Sequence, residues 1–576
     1  ETIQDISLEL PVTTASAATF LTADDDGAVS MPLTSPITIT QTAHDSYELL
    51  QGGRAARQGQ HSEGWILVQN QQAGVMVGMR DAWQQYPKTF IADPKAGRLL
   101  VKLWPESAGE LDLQTGPEAF GPDDVARGSA FGLGKTHELV FGFLGAAVEP
   151  DIARAIAGLW QSPWVLAADP AWLEATDAWG AIAPPASPGA SGDADTMLEQ
   201  LFDWAQRQPK RSGWYGMLNY GDTLAWYRNR DDNQSYDSWG WHPVGRWGWF
   251  GCEMMGTHTG ALMSFLRTHD LKYFLFGEAS ARHIMDVDTV HYNTAANDPR
   301  LLAKINDTFS KVGSMHRHSA YHWSGRNEET SHTNVTGLLM YYYLTGYDRA
   351  WDVANEVGSF FLLDPVTYTQ HPDIAPARNL GNILWGDVLM YQATGDARYK
   401  TGADRWAKVL LNGQRTDGLW LETYNPRDRM WAGRVKNNYL TFYVLQALIA
   451  YHRLTGDEAT ARAIVRCTDA LITREQERQF FDALAYSYLL TGNPRYLEEG
   501  KRRVAVQMKA QQHTGDPLTD GMIFEKAIYE RVPPVLYQVP YFLGALDSPD
   551  FITLQKTIPN SELRTPPVPR PLHMTC

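Results

Sequence analysis

Histidine is unevenly spread along this chain. Nine of its 16 histidines fall between His242 and His332, far more than an even distribution would place there. The densest stretch, Met315 to Asn334, carries His316, Arg317, His318, Tyr321, His322, Trp323, Glu328, Glu329, His332 and Asn334. Imidazole, phenol and guanidinium crowded into one loop suit proton abstraction and donation near neutral pH, beside a cation able to grip a carboxylate. A solvated surface would account for the charges, but it would not select His, Tyr and Trp together. Upstream, Asp237 to Trp249 sets Trp239, Trp241, Trp247 and Trp249 around His242 and Arg246, with Tyr227 shortly before. Glycines between the indoles make poor helix, so this is a loop. It reads either as a wall of flat rings for stacking a flat ligand or as a packed loop with Arg246 lying on an indole.

A third segment, Gly128 to Glu138, has the outline of a phosphate-binding loop. That motif needs glycine at position 129, where Ser129 stands, and it needs a following helix, where a strand pattern follows; nucleotide binding is rejected. Lys135 and His137 then sit at a strand start, placed to face the helical part of the chain. His318 and His322 are four residues apart, as two metal ligands on one helix face would be. There is, however, no His-Glu-x-x-His pattern, and Cys252, Cys467 and Cys576 are too dispersed for a zinc ribbon or a disulfide framework. The sequence requires no cofactor, and calcium on Asp, Asn and backbone oxygens is left open. No Gly-x-Ser-x-Gly elbow occurs, which weakens a serine-hydrolase reading.

These groups need a scaffold. The chain has 576 residues, 50 Lys and Arg against 66 Asp and Glu, and a net charge of −16. The length implies several domains, and the acidity argues against nucleic acid as a partner. No apolar run is long enough to span a membrane. Twenty Trp, 26 Tyr and 20 Phe supply stacking surface in excess.

Runs at Trp65–Asn70, Gly74–Met79, Leu99–Trp104 and Leu139–Leu144 read as strands. Residues 1–183 are expected to form an antiparallel β-sandwich, ended by a Pro/Gly/Ser-rich linker at 184–193. Beyond it, Leu344-Thr345-Gly346, Ala393-Thr394-Gly395-Asp396, Leu454-Thr455-Gly456-Asp457 and Leu490-Thr491-Gly492-Asn493 repeat one pattern, with Arg267-Thr268-His269-Asp270 as a degenerate copy. Each follows an apolar helix and precedes an amphipathic one. Glycine ends the first helix in the left-handed conformation, and Asp or Asn opens the next. The helix from Leu440 to Ile449 is apolar all round and should lie inside; Ala461, Ile464, Val465, Thr468, Leu471 and Ile472 mark one buried face of an outer helix. Residues 194–512 are therefore expected to be an (α/α) toroid of five or six αα-hairpins. The Pro-rich tail, 513–576, is expected to be extended or β. The fold class is multidomain α+β.

Several motifs, in their order along the chain, resemble the exo-rhamnogalacturonan lyase family, polysaccharide lyase family 26, with its uncharacterised bacterial relatives. They are Asp81-Ala82-Trp83-Gln84-Gln85-Tyr86-Pro87-Lys88, Leu103-Trp104-Pro105-Glu106, Gly134-Lys135-Thr136-His137-Glu138, His322-Trp323-Ser324, Ser331-His332-Thr333 and Tyr343-Leu344-Thr345-Gly346. The resemblance covers about residues 60 to 500. It implies a β-domain beside an (α/α) toroid and cleavage of a uronate-containing polysaccharide by β-elimination. Members usually carry a further N-terminal barrel; this chain is expected to begin after the place of that barrel, which is either absent or removed. The partner implied is an acidic polysaccharide or oligosaccharide, and the location secreted or periplasmic.

Elimination across C4–C5 of a uronate needs a cation on the carboxylate, a base for the C5 proton and an acid for the departing O4. On local chemistry, Arg246 or Arg317 takes the carboxylate. His316, His318 or Tyr321 takes the proton. Lys135 or His242 serves the leaving group. The rival reading is a glycoside hydrolase using Asp237 with Glu328 or Glu329. A non-catalytic carbohydrate-binding protein is the other alternative.

Overall fold

The computed structural model describes residues 2–12, 17–112, 132–162, 164–176, 178–180, 182, 184–185, 192–222, 256–292, 311–315, 330, 333, 335–365, 375–435, 441–474, 480–517, 519–523 and 532–547. Thirteen strands come first: β1 (Thr2–Ile3), β2 (Ile6–Pro11), β3 (Thr19–Asp24), β4 (Gly27–Pro32), β5 (Ile37–Ala43), β6 (Ser46–Gln51), β7 (Arg54–Gly59), β8 (Trp65–Gln69), β9 (Gly74–Met79), β10 (Lys88–Asp93), β11 (Arg98–Trp104), β12 (Leu111–Asp112) and β13 (Leu139–Leu144). All pairings are antiparallel. A six-stranded sheet runs β2-β11-β10-β5-β6-β7, and a five-stranded sheet runs β13-β9-β8-β3-β4.

The two sheets meet face to face. Phe20, Ile66, Val77 and Met79 of one pack on Ile37, Ile39, Leu49, Phe90 and Val101 of the other, as alternating inward side chains in a sandwich must. Helix α1 (Pro150–Gln161) covers the outer face of the five-stranded sheet, setting Ala153 and Ala157 against Leu21, Trp65, Leu67 and Met76. Strand β8 is thus buried at all five positions, which explains its continuous apolar run.

Helix α2 (Pro170–Thr176) sides with the helical region instead. Its Leu173, with Ile182 and the partly buried Val165 and Trp179, joins the large helical core. Residues 164–182, expected within the sandwich domain, therefore pack on the toroid: they carry no alternating apolar pattern to offer a sheet.

The remaining helices are α3 (Gly192–Ser212), α4 (Thr257–Thr268), α5 (Leu271–His283), α6 (Thr336–Thr345), α7 (Asp348–Phe361), α8 (Ala377–Thr394), α9 (Ala397–Gly413), α10 (Thr441–Thr455), α11 (Glu458–Thr473), α12 (Phe481–Thr491), α13 (Arg495–Ala510) and α14 (Val532–Asp547). A π-helical turn, Ile284–Asp288, extends α5. A small sheet, β14 (Ala375–Pro376), β15 (Leu421–Asn425) and β16 (Met430–Val435), sits between helical units.

Helices α4, α6, α8, α10, α12 and α14 each pack on the next, and α14 closes back on α4. This is an inner ring of six. Helices α3, α5, α7, α9, α11 and α13 lie outside it, and α13 meets α3 to close the outer layer. The fold is an (α/α) toroid beside a β-sandwich.

The repeated Thr-Gly-Asp pattern builds the hairpin corners as the sequence implies. Gly346, Gly395, Gly456 and Gly492 all adopt φ between 67° and 70°, a conformation that favours glycine. Asp396 and Asp457 cap the next helix by accepting from the backbone N–H of Arg398 and Thr460. The preceding threonine works in both directions: Thr394 Oγ1 donates to Met390 O at 2.6 Å and accepts from Asp396 N at 3.1 Å. In the degenerate copy His269 takes the left-handed position at φ 58° and Asp270 caps α5.

One expectation for the tail is overturned. Residues 532–547 form helix α14, the sixth wall of the inner ring, where extended or β structure was expected. Pro533 and Pro534 fall in its first turn, where no backbone N–H is needed. The apolar Val535, Leu536, Val539, Phe542 and Leu543 are all buried, and their burial outweighs the interior Pro540.

Candidate functional site

Two buried polar regions could do chemistry. The first is the seam between sandwich and toroid. Arg80, Asp81 and the 132–138 segment meet α5, its π turn and Tyr341 of α6 there. Arg80 Nη1 donates to Glu278 Oε1 at 3.1 Å, and its Nη2 pairs with Oε2. Tyr341 donates to Glu278 Oε1 at 2.6 Å, and Arg282 donates to Glu138 at 2.9 Å. Burial raises the Glu138 carboxyl, but the Arg282 and Arg80 guanidiniums more than offset it and hold the group below its usual range.

Thr136 N and Oγ1 both donate to Asp286, at 2.7 and 2.8 Å. This fixes the segment that carries Lys135 and His137 against the toroid. Burial pushes the Lys135 ammonium down, although Asp286 and Asp81 oppose it. Burial, with Lys88 and Lys135 nearby, pushes His137 well below its usual value, so its ring is neutral. Lys88 itself is buried and donates to the carbonyl oxygens of Pro87 and Leu103 at 3.0 and 2.9 Å. Lys135 and His137 thus lie near one another in the segment that Thr136 and Glu138 tie to the toroid, and neither lines the chamber inside the ring.

The second region is that centre. The starts of the inner helices gather at one end. Gly337 of α6 lies so close to His258 of α4 that a Cβ would come within 1.9 Å of the imidazole, and Gly381 of α8 packs on the Tyr443 backbone of α10. Among the described residues, a chamber of about 370 Å3 lies inside the ring, walled by all six inner helices, within the size range of small-ligand sites.

Its walls are largely aromatic: Tyr343, Trp385, Tyr537, Tyr541 and Trp179, with Met263, Leu339 and Ile449 between them. Trp385 and Tyr537 have ring centroids 6.3 Å apart, and Trp179 meets Tyr343 edge-on at 6.1 Å. Trp179 is delivered by the 164–182 segment. Gly180 beside it (φ 89°) is seated on Tyr541 so closely that a Cβ would lie 2.3 Å from the ring.

Few polar residues line the chamber besides its tyrosines: Thr336, Gln392, Gln446, Arg453 and Asp482. Asp482, 3% exposed, opens α12. Its Oδ1 accepts from Ala483 N at 2.8 Å, whereas its Oδ2 has no partner among the described residues. Burial pushes its carboxyl up to about 7, against the opposing backbone N–H, so it can hold or release a proton near neutrality. Gln446 Nε2 is likewise buried and without a partner among the described residues. Asp387 is also buried with both oxygens without partners there, but it lies against Gly402 of outer helix α9 and does not line the chamber.

Most residues singled out from the sequence lie outside the described residues. These are Tyr227, Asp237, Trp239, Trp241, His242, Arg246, Trp247 and Trp249, and also His316, Arg317, His318, Tyr321, His322, Trp323, Glu328, Glu329, His332 and Asn334. Sequence reasoning missed Asp482, Gln446, Arg453, Trp385 and Tyr537. A usable signal was present: a lone acid or amide inside an otherwise apolar inner helix, as in Phe481-Asp482-Ala483-Leu484 and Val444-Leu445-Gln446-Ala447. Among the described residues, no three His, Cys, Asp or Glu side chains gather as a metal site would require, and no helix is long and apolar enough to cross a membrane.

Comparisons with known proteins match two parts of the toroid. Residues 163–360 match the model of the PcRGLX-like protein C-terminal alpha/alpha toroid domain, a start that coincides with the change of packing near residue 164. Residues 377–514 match the beta-L-arabinofuranosidase GH127 catalytic domain. The uncharacterized protein YetA of Bacillus subtilis (strain 168) is 25% identical over 312 residues, 52% of this chain and 33% of its own length. The chain thus spans about a third of that curated relative. Similar solved structures include a family 76 glycoside hydrolase from a bovine Bacteroides thetaiotaomicron strain, with TM-score 0.42 and 10% identity over 95% of this chain and 97% of that one. Another is the cellobiose 2-epimerase of Spirochaeta thermophila DSM 6192, with TM-score 0.41 and 12% identity over 62% of this chain and 98% of that one.

Proposed function

We propose that this protein is a carbohydrate-active enzyme that takes a polysaccharide or oligosaccharide into its ring and cleaves a uronate-containing chain by β-elimination. The observation that carries the reading is the chamber: aromatic walls for stacking sugar faces, an arginine, and one carboxyl whose proton is exchangeable near neutral pH. The elimination chemistry draws support from the match of residues 163–360 to a PcRGLX-like toroid domain and from the ordered motifs.

In this reading a guanidinium, Arg246, Arg317 or the chamber's Arg453, neutralises the uronate carboxylate and acidifies the C5 proton. His316, His318 or Tyr321 abstracts that proton, and the electron pair forms the C4–C5 double bond as the C4–O4 bond breaks. His242 or Asp482 protonates the departing oxygen. Lys135, held in the seam, is displaced from the leaving-group role. No cofactor enters these steps, and a polymeric substrate implies export.

Hydrolysis is the second reading, favoured by the match of residues 377–514 to a GH127 catalytic domain and by the raised carboxyl of Asp482. Incubation with a panel of uronic polysaccharides separates the two. Elimination yields a conjugated, ultraviolet-absorbing product, and hydrolysis yields new reducing ends without absorbance. Unchanged turnover after alanine substitution at each of His318, His322 and His332 would refute the proton-transfer placement.

A further inference from the structure

We propose that Asp482 and Gln446 form the hydrogen-bonding floor of a sugar subsite inside the ring: Asp482 Oδ2 accepts from, and Gln446 Nε2 donates to, neighbouring hydroxyl groups of one pyranosyl unit. The proposal rests on the carbohydrate reading above and deepens it. Both atoms are buried, and neither has a partner among the described residues. They come from α10 and α12, which pack side by side, and both residues line the same chamber. A buried donor or acceptor left without a hydrogen bond is unfavourable, so a ring that retains two in one cavity is organised for something that completes them.

The complement of one acceptor and one donor is a pair of neighbouring hydroxyls, since each hydroxyl both donates and accepts. An apolar ligand would leave both atoms unpaired. A phosphate would meet the Asp482 carboxyl. A pyranose meets both atoms with its hydroxyl edge and offers its C–H face to Trp385 and Tyr537, whose rings form the adjoining wall.

The test titrates the full chain by tryptophan fluorescence with rhamnogalacturonan oligosaccharides, D-galacturonate and L-rhamnose, and repeats it on Gln446→Leu and Asp482→Asn with thermal melts alongside. The subsite predicts that Gln446→Leu weakens binding of at least one probe by about tenfold, the equivalent of one hydrogen bond, without lowering the melting temperature. A merely structural glutamine would instead lower the melting temperature and leave Kd unchanged. Asp482→Asn, which replaces one carboxylate oxygen by a donor, is expected to weaken the same probe. If the wild type binds a probe and both variants bind it equally well, the subsite is overturned and the carbohydrate reading survives. If the wild type neither binds a probe nor turns over any uronic polysaccharide, both are overturned.

Discussion

At the seam, Arg80, Glu278, Tyr341, Arg282 and Glu138 pair with one another in a continuous network across the two domains, although Arg80 Nε and His137 Nε2 have no hydrogen-bond partner among the described residues. In the chamber, Asp482 and Gln446 keep an oxygen and a nitrogen with no partner among the described residues. Both regions are buried and both are polar. Buried ions that face each other hold two domains in register, and removing one strands the other. Buried polar atoms that face a cavity retain capacity for a ligand. The two regions differ in what faces the buried polar atoms: charged partners across a domain boundary at the seam, an open cavity in the ring. Lys135 and His137, put forward by the sequence for catalysis, lie at the seam.

The largest effect is expected at the seam. Glu278→Ala leaves the Arg80 guanidinium buried without its carboxylate and is expected to destabilise the fold by about 3–5 kcal/mol, read by denaturant unfolding. A loss under about 1 kcal/mol would show that the network does not bind the domains. A similar loss, about 3–5 kcal/mol, is expected of Phe542→Ala, because that fully buried ring fills the wall that α14 adds. If the tail were dispensable, this variant would melt like the wild type.

Asp482→Asn should behave in the opposite way. Turnover is expected to fall by about 10²–10⁴-fold if the carboxyl moves a proton, while stability does not fall. The sign of the pH dependence is fixed. With its folded-state value raised to about 7, Asp482 holds its proton in the folded chain after the unfolded chain has lost it. Its contribution to stability is therefore present at low pH and lost as pH rises from the ordinary carboxylate range toward about 7. Melting curves across that range should show the loss in the wild type and its absence in Asp482→Asn; parallel profiles would contradict the buried, ionisable carboxyl. The smallest effect is expected at the hairpin corners, where Asp457→Ala removes the cap on Thr460 N and costs about 1 kcal/mol with activity intact.

Much of this architecture is legible in the sequence because its rules are local. Runs of β-forming residues between polar or Gly-containing turns marked β8, β9, β11 and β13. The Thr-Gly-Asp corners marked the hairpins, and apolar versus one-sided helices separated the inner layer from the outer. Helix α14 was hidden because three prolines argue locally against a helix, while the burial that secures it is contributed by α4 and α12, far away in sequence. The placement of residues 164–182 on the toroid depends on the same kind of distant contact. At the site, the 134–138 segment was legible as lying at a domain edge, because a strand start adjoins a Gly-rich turn there, and its Thr136 and Glu138 do bond to the toroid. Asp482 and Gln446 were not, since neither belongs to a cluster. Each is one polar residue in an apolar helix, and only the closed ring shows that their side chains share a cavity.

The central claim is that the ring takes in a uronic sugar and eliminates across its C4–C5 bond with the help of the chamber carboxyl. The most direct measurement is ultraviolet absorbance of the products from a uronic polysaccharide panel, run in parallel with wild type and Asp482→Asn. The account predicts an absorbing product from the wild type and a loss of at least about 10²-fold in the variant. New reducing ends without absorbance, or a variant that matches the wild type, would contradict it.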